Sequence, residues 1–202
     1  MLKGFPFGED NLNSDLVLFE EKGSENTLEC FKLVAERVKD LGLDYVILAS
    51  TSGETGVEAV DFFEDQDVEV VVVSHQYGYK EDGKIELEEK YRKKIKESEN
   101  ASLVITSDVL TRVPKIVRGK YGGFSHLDLI ADTLRMFSEG MKVCVECTIQ
   151  AADSGKIPAG EEVAAIAGTG SGADTGVVLK SQHSHKLLDV DIREIICMPR
   201  ER

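Results

Sequence analysis

The sequence predicts an α/β fold, a three-layer α/β/α sandwich around a mixed, mostly parallel sheet. Three observations carry this expectation. Short β-branched or apolar runs alternate with longer segments of helical period through the first half of the chain, the pattern of βαβ units. Residues 68–73 are nearly unbroken valine, which suits a central parallel strand buried on both faces. The last strand candidates are joined by polar connections too short for a crossover helix, so at least one of them runs antiparallel.

Taken in order, residues 16–19 read as the first strand. Leu28, Phe31, Val34, Ala35, Val38 and Leu41 then mark one face of a helix that Gly42 terminates. Residues 45–49 give the next strand and 53–63 the next helix. The valine strand leads to a helix over 84–98, where Leu87, Tyr91 and Ile95 share a face. Glu88/Arg92 and Glu89/Lys93 are spaced there for i,i+4 pairs. Residues 103–106 are the fourth strand, and 107–124 carry no readable period. Helices follow over 125–137, capped by Ser125, and 141–153, with Gly140 between them. Strands over 163–167, 175–179 and 192–198 complete the sheet. Without internal repeats or a linker, residues 1–202 read as a single domain.

Composition narrows the function classes. A chain of 202 residues with 42% hydrophobic and 30% charged residues is ordinary for a globular protein. The apolar start, residues 1–8, is too short and interrupted for a signal peptide, and no stretch approaches the roughly 18 apolar residues of a membrane span. A net charge of -13 argues against a nucleic-acid surface. Cys30, Cys144, Cys147 and Cys197 are too few and scattered for a disulfide framework; a cytoplasmic location is expected, with no membrane partner. Cys144 and Cys147 form a C-x-x-C inside a helix, so they read as small packed residues rather than a redox pair. His183 and His185 have no carboxylate or cysteine nearby in sequence, and no metal site is expected.

Ligands of open α/β sheets sit beyond the carboxyl ends of the strands, where loops lead into helix N-termini. Ser50, Thr51, Ser52, Gly53 and Thr55 form such a loop. Free helix N-terminal amides carry partial positive charge, and hydroxyls add hydrogen bonds, so a phosphate fits there without a lysine. A capped helix with incidental hydroxyls is the other reading. A second loop, Gly168, Thr169, Gly170, Ser171, Gly172, Ala173, matches G-x-G-x-x-A. A strand follows it where a dinucleotide fold needs a helix, so it does not signal NAD binding. Asp174 and Thr175 are placed to hydrogen-bond a heterocycle or a ribityl-like chain, with a glycine-rich β-turn as the alternative. Asn26, Thr27 and His75 join the site because their loops emerge at the same sheet edge. Helix capping is the alternative for the first two, and a hydrogen bond at a strand end for His75.

These residues carry a resemblance. The loop over 50–55 resembles the sugar-phosphate loop of the pyruvate kinase C-terminal domain. The segments 25–27, 49–56, 73–75, 130–137, 151–155 and 168–175 together resemble the stand-alone pyruvate kinase alpha/beta domain-like proteins. The resemblance implies a three-layer α/β fold with FMN held at the strand ends, and it implies no particular reaction. The chain is too short for the catalytic barrel of pyruvate kinase, so that activity is not expected. It also has no tryptophan for the second phosphate of a sugar bisphosphate, which favours a monophosphate. The expectation is an FMN-binding protein, whether or not it is an enzyme, with self-association left open. The competing class is a non-catalytic sensor or regulatory module that binds a sugar phosphate or nucleotide.

Overall fold

The computed structural model describes residues 15–201; the apolar start at residues 1–8 lies outside them. The first half runs β1 (Val17–Phe19), α1 (Thr27–Leu41), β2 (Tyr45–Ala49), α2 (Glu54–Phe62), β3 (Glu69–His75), α3 (Glu89–Glu97) and β4 (Ala101–Thr106). Three helices follow, α4 (Arg112–Tyr121), α5 (His126–Arg135) and α6 (Glu139–Asp153), then β5 (Glu162–Ala167), β6 (Thr175–Lys180) and β7 (Asp191–Pro199). The strands form one seven-stranded sheet in the order β1-β7-β6-β5-β2-β3-β4. Only β6 is reversed, antiparallel to both β5 and β7. The carboxyl ends of β1 to β5 therefore share one edge.

Side chains alternate between two cores, as the strand period requires. Val46, Leu48, Val70 and Val72 pack with Phe31, Val34 and Phe63 beneath α1 to α3. Ile47, Val71 and Val73 pack with Met141, Cys144 and Ile149 of α6 on the opposite face. These are the three layers the alternation predicted, and β3 is buried along nearly its whole length. Gly42 ends α1 in the left-handed conformation at φ 64°, a role glycine fills without steric cost.

Four local expectations are corrected. The helix predicted over 84–98 begins only at Glu89, because the Glu88 amide donates to Ser52 O at 2.9 Å and Leu87 packs down on Gly53. The pairs expected at Glu88/Arg92 and Glu89/Lys93 give way to Arg92–Glu89 and Lys93–Glu97. Gly140 does not separate two helices but lies inside α6, whose cap is Ser138, with Oγ accepting from Met141 N at 2.8 Å. A side chain at Gly140 would run into Thr175 Oγ1. The unreadable stretch contains α4. Its Pro114 falls in the first turn, where no amide is needed, while Val113, Ile116, Val117 and Tyr121 stay exposed and blur the period.

Candidate functional site

The loops at the carboxyl ends of β1 to β5 open into one cleft of about 1480 Å3, closed on the other side by α4, α5 and α6. Of the sequence-predicted residues, Thr27, Ser50, Thr51, Ser52, Thr55, His75, Gly168, Gly170 and Gly172 line it; Asn26, Gly53, Thr169, Ala173, Asp174 and Thr175 do not. Among the described residues, no helix is long and apolar enough to cross a membrane, and no group of three His, Cys, Asp or Glu is gathered to hold a metal.

The loop between β2 and α2 divides its hydroxyls between two tasks. Ser50 Oγ accepts from Gly56 N at 3.0 Å and Ser52 Oγ from Glu54 N at 3.3 Å, so these two cap α2. Among the described residues, the amides of Thr51, Ser52, Gly53 and Thr55 and the hydroxyls of Thr51 and Thr55 have no partner. Gly53 is a glycine for a packing reason: at φ 96° it is left-handed, and a Cβ would meet Leu87 at 2.6 Å and Tyr91 at 2.7 Å. It permits the close approach of Leu87 and of Tyr91 in α3.

The glycine-rich loop is braced from beneath. Asp174 is fully buried; its Oδ2 accepts from Gly23 N (3.0 Å) and Thr169 N (3.1 Å) and its Oδ1 from Thr175 Oγ1 (2.9 Å). Thr175 Oγ1 in turn meets Ser138 Oγ at 3.0 Å. The carboxylate thus joins the loop after β1, the loop after β5 and the start of α6, leaving none of this set to contact a ligand. Thr27 Oγ1 accepts from Ala173 N at 3.0 Å, and the Asn26 amide group donates to Glu21 O and Gly23 O. Gly172 lies so close to Ser24 and Thr27 that no side chain fits, whereas Gly170 faces open space. Gly168, Gly170 and Gly172 are the parts that border the cleft.

His75 is held on two sides. Its Nδ1 lies 2.9 Å from Glu86 Oε2, and its ring stacks on Tyr79 at 3.7 Å, with Arg112 also over the Tyr79 ring at 4.3 Å. Arg112 also donates to Tyr79 O, so this column ties the β3–α3 connection to α4. Partial burial pushes the Glu86 carboxyl up, but hydrogen bonds from Lys80 and His75 outweigh it and hold the group below its usual value of 4.5. A depressed folded-state pKa gives stability that is complete above the usual value and lost as pH falls through the folded one. Acidification through the depressed pKa of Glu86 should therefore release its contacts. Amide exchange of residues 76–88 is the measure, and protection that does not fall on acidification would contradict it.

No protein-family model matches the chain. What the cleft offers chemically is therefore read from its own groups. Acidic side chains outnumber basic ones in its lining, so an anion there depends on amides and a helix terminus rather than on a field of cations. Cys147 borders the cleft, but burial and the adjacent Glu146 push its thiol far up, which keeps it protonated and a poor nucleophile. All four cysteines are free and buried, consistent with their reading as packed residues. His183 does find a carboxylate, Asp153, at 3.2 Å, brought by the fold from the end of α6.

Sequence reasoning missed the wall formed by α6. Lys142, Glu146 and Gln150 all line the cleft, although Lys142 and Glu146 are 6% and 5% exposed. Lys142 donates to Glu146, Glu146 Oε1 accepts from Leu110 N at 2.7 Å, and Gln150 Nε2 donates to Ser107 O at 3.0 Å. A sequence signal existed: the three recur at i, i+4 and i+8, a polar stripe on a helix otherwise small and apolar. Arg112 belongs to the lining as well, whereas Lys120 does not.

Proposed function

We propose that the protein binds a phosphate-bearing small molecule, FMN, in the cleft at the carboxyl ends of its parallel strands. The observation that carries this reading is the set of unengaged amides of Thr51, Ser52, Gly53 and Thr55 at the start of α2, beside the free hydroxyls of Thr51 and Thr55. Amides and hydroxyls converging on a helix N-terminus suit a phosphate. Gly168, Gly170 and Gly172 then offer a low wall for the ribityl chain and ring, with open space over Gly170. At about 1480 Å3 the cleft exceeds the roughly 300–1,000 Å3 of a usual small-molecule site, which leaves room for a second molecule. The resemblance to the pyruvate kinase alpha/beta domain-like proteins points the same way. FMN, when bound, supplies redox chemistry; the chain supplies orientation and electrostatics.

Calorimetric titration with FMN and with riboflavin separates phosphate cradle from helix cap. Thr55→Ala removes a hydroxyl that no internal group uses and is expected to weaken FMN about 10- to 150-fold, the loss of one hydrogen bond to an anion, while riboflavin is unaffected. Ser50→Ala should instead lower folding stability by about 1 kcal/mol, because that oxygen caps α2. Equal losses for both ligands in Thr55→Ala would remove the phosphate from this loop. A wild-type protein that ignores FMN but binds a sugar phosphate or nucleotide belongs to the sensor class instead.

A further inference from the structure

Lys142 is the only buried lysine or arginine among the described residues. Taking an ammonium and a carboxylate out of water costs several kcal/mol per ion, and apolar residues of similar size usually pack at least as stably. The fold accounts for Glu146, which holds the Leu110 amide. It does not account for Lys142: Glu146 is its one partner among the described residues, and an ammonium carries three donors.

The position of Lys142 is fixed by contacts on either side of it. Gly140 abuts Thr175, just past the glycine-rich loop, and Glu146 is tied to Leu110, just past β4. Lys142 lies about 3 Å along the helix axis from Gly140 but about 200° around it, on the Glu146 side of α6, where it lines the same cleft as the glycine-rich loop. The neighbouring basic groups differ. Lys80, Arg118 and Arg135 pair with Glu86, Asp128, Asp132 and Glu139 on more exposed side chains, where water and salt screen them. A buried ion acts through a lower dielectric and is felt more strongly at equal distance.

We infer that Lys142 is the electrostatic contact to the ring of the bound flavin, favouring the ring's reduced form; this rests on the FMN reading above. Two-electron reduction of a flavin adds two electrons and one proton at N5 and leaves a negative charge spread over N1 and the C2 carbonyl. A fixed cation beside that charge stabilises it. Glu146, anchored to Leu110, keeps the ammonium in place.

The test uses the full chain loaded with FMN, comparing wild type, Lys142→Met/Glu146→Gln and Lys142→Arg. The double variant removes both charges and keeps an acceptor for Leu110. Its two-electron equilibrium should move towards oxidised FMN by about tenfold or more, about 30 mV to the negative. Its affinity for reduced FMN should fall by that factor relative to its affinity for oxidised FMN, and Lys142→Arg should keep the wild-type potential. If that double variant does not fold, Lys142→Gln/Glu146→Gln carries the same expectation, since it also removes both charges. An unchanged potential overturns the inference. So does an equal loss of affinity for oxidised and reduced FMN, which would make Lys142 a residue that holds the ligand rather than one that tunes it. A wild-type protein that takes up no FMN is a different result, because it overturns the FMN reading itself.

Discussion

Replacing Asp174 by alanine is expected to lower the free energy of unfolding by about 3 to 5 kcal/mol. The buried carboxylate receives hydrogen bonds from the Gly23 amide, the Thr169 amide and the Thr175 hydroxyl. Each buried donor left without an acceptor costs roughly 1 to 3 kcal/mol; the Thr175 hydroxyl is fully buried, and the Gly23 and Thr169 amides are partly so. Asp174→Asn should cost less, because one amide oxygen can still serve the two backbone donors. Urea unfolding of the three proteins gives the comparison. Amide exchange should show the loss centred on Gly23 and Thr169, at the cleft rim. An alanine variant within about 1 kcal/mol of wild type would mean that those amides find other acceptors.

Asp174 also illustrates what the sequence could and could not tell. The alternation of apolar runs, the valine strand and Gly42 made the layers and most strand positions legible, because burial on one or both faces leaves a periodic trace. That at least one of the last strands is reversed followed from loop length; that it is β6 did not. A hydroxyl or carboxylate in a glycine-rich loop carries no such trace of direction. Asp174 and Thr175 had the right types for a ligand contact, yet they point into the fold; Ser50 and Thr51 are neighbours of similar chemistry, yet one caps α2 and the other is free. Gly53 is required by the side chains of Leu87 and Tyr91, far along the chain. The stripe on α6 was overlooked for the opposite reason, since an i,i+4 Lys–Glu pair ordinarily marks a solvated helix face, and only the packing of α5 and of the segment before α4 around that helix buries this one.

That burial sets the second large effect. Glu146→Gln keeps the shape and the hydrogen bond to Leu110 but leaves the Lys142 ammonium without its counter-ion, and is expected to cost about 3 to 5 kcal/mol. Lys142→Met/Glu146→Gln removes the stranded charge as well and should return to within about 1 to 2 kcal/mol of wild type, because the desolvation cost disappears with the ions. The double variant is then more stable than the single one, a reversal that additive contributions cannot produce. Urea unfolding at neutral pH of wild type, both single variants and the double completes the cycle. A Glu146→Gln loss below about 1 kcal/mol, typical of exposed pairs, would show that water or another anion reaches Lys142 and that its charge is screened. In that case the lysine would also lack the strength to act on a ligand ring, so a screened charge in the stability cycle would overturn the flavin inference as well.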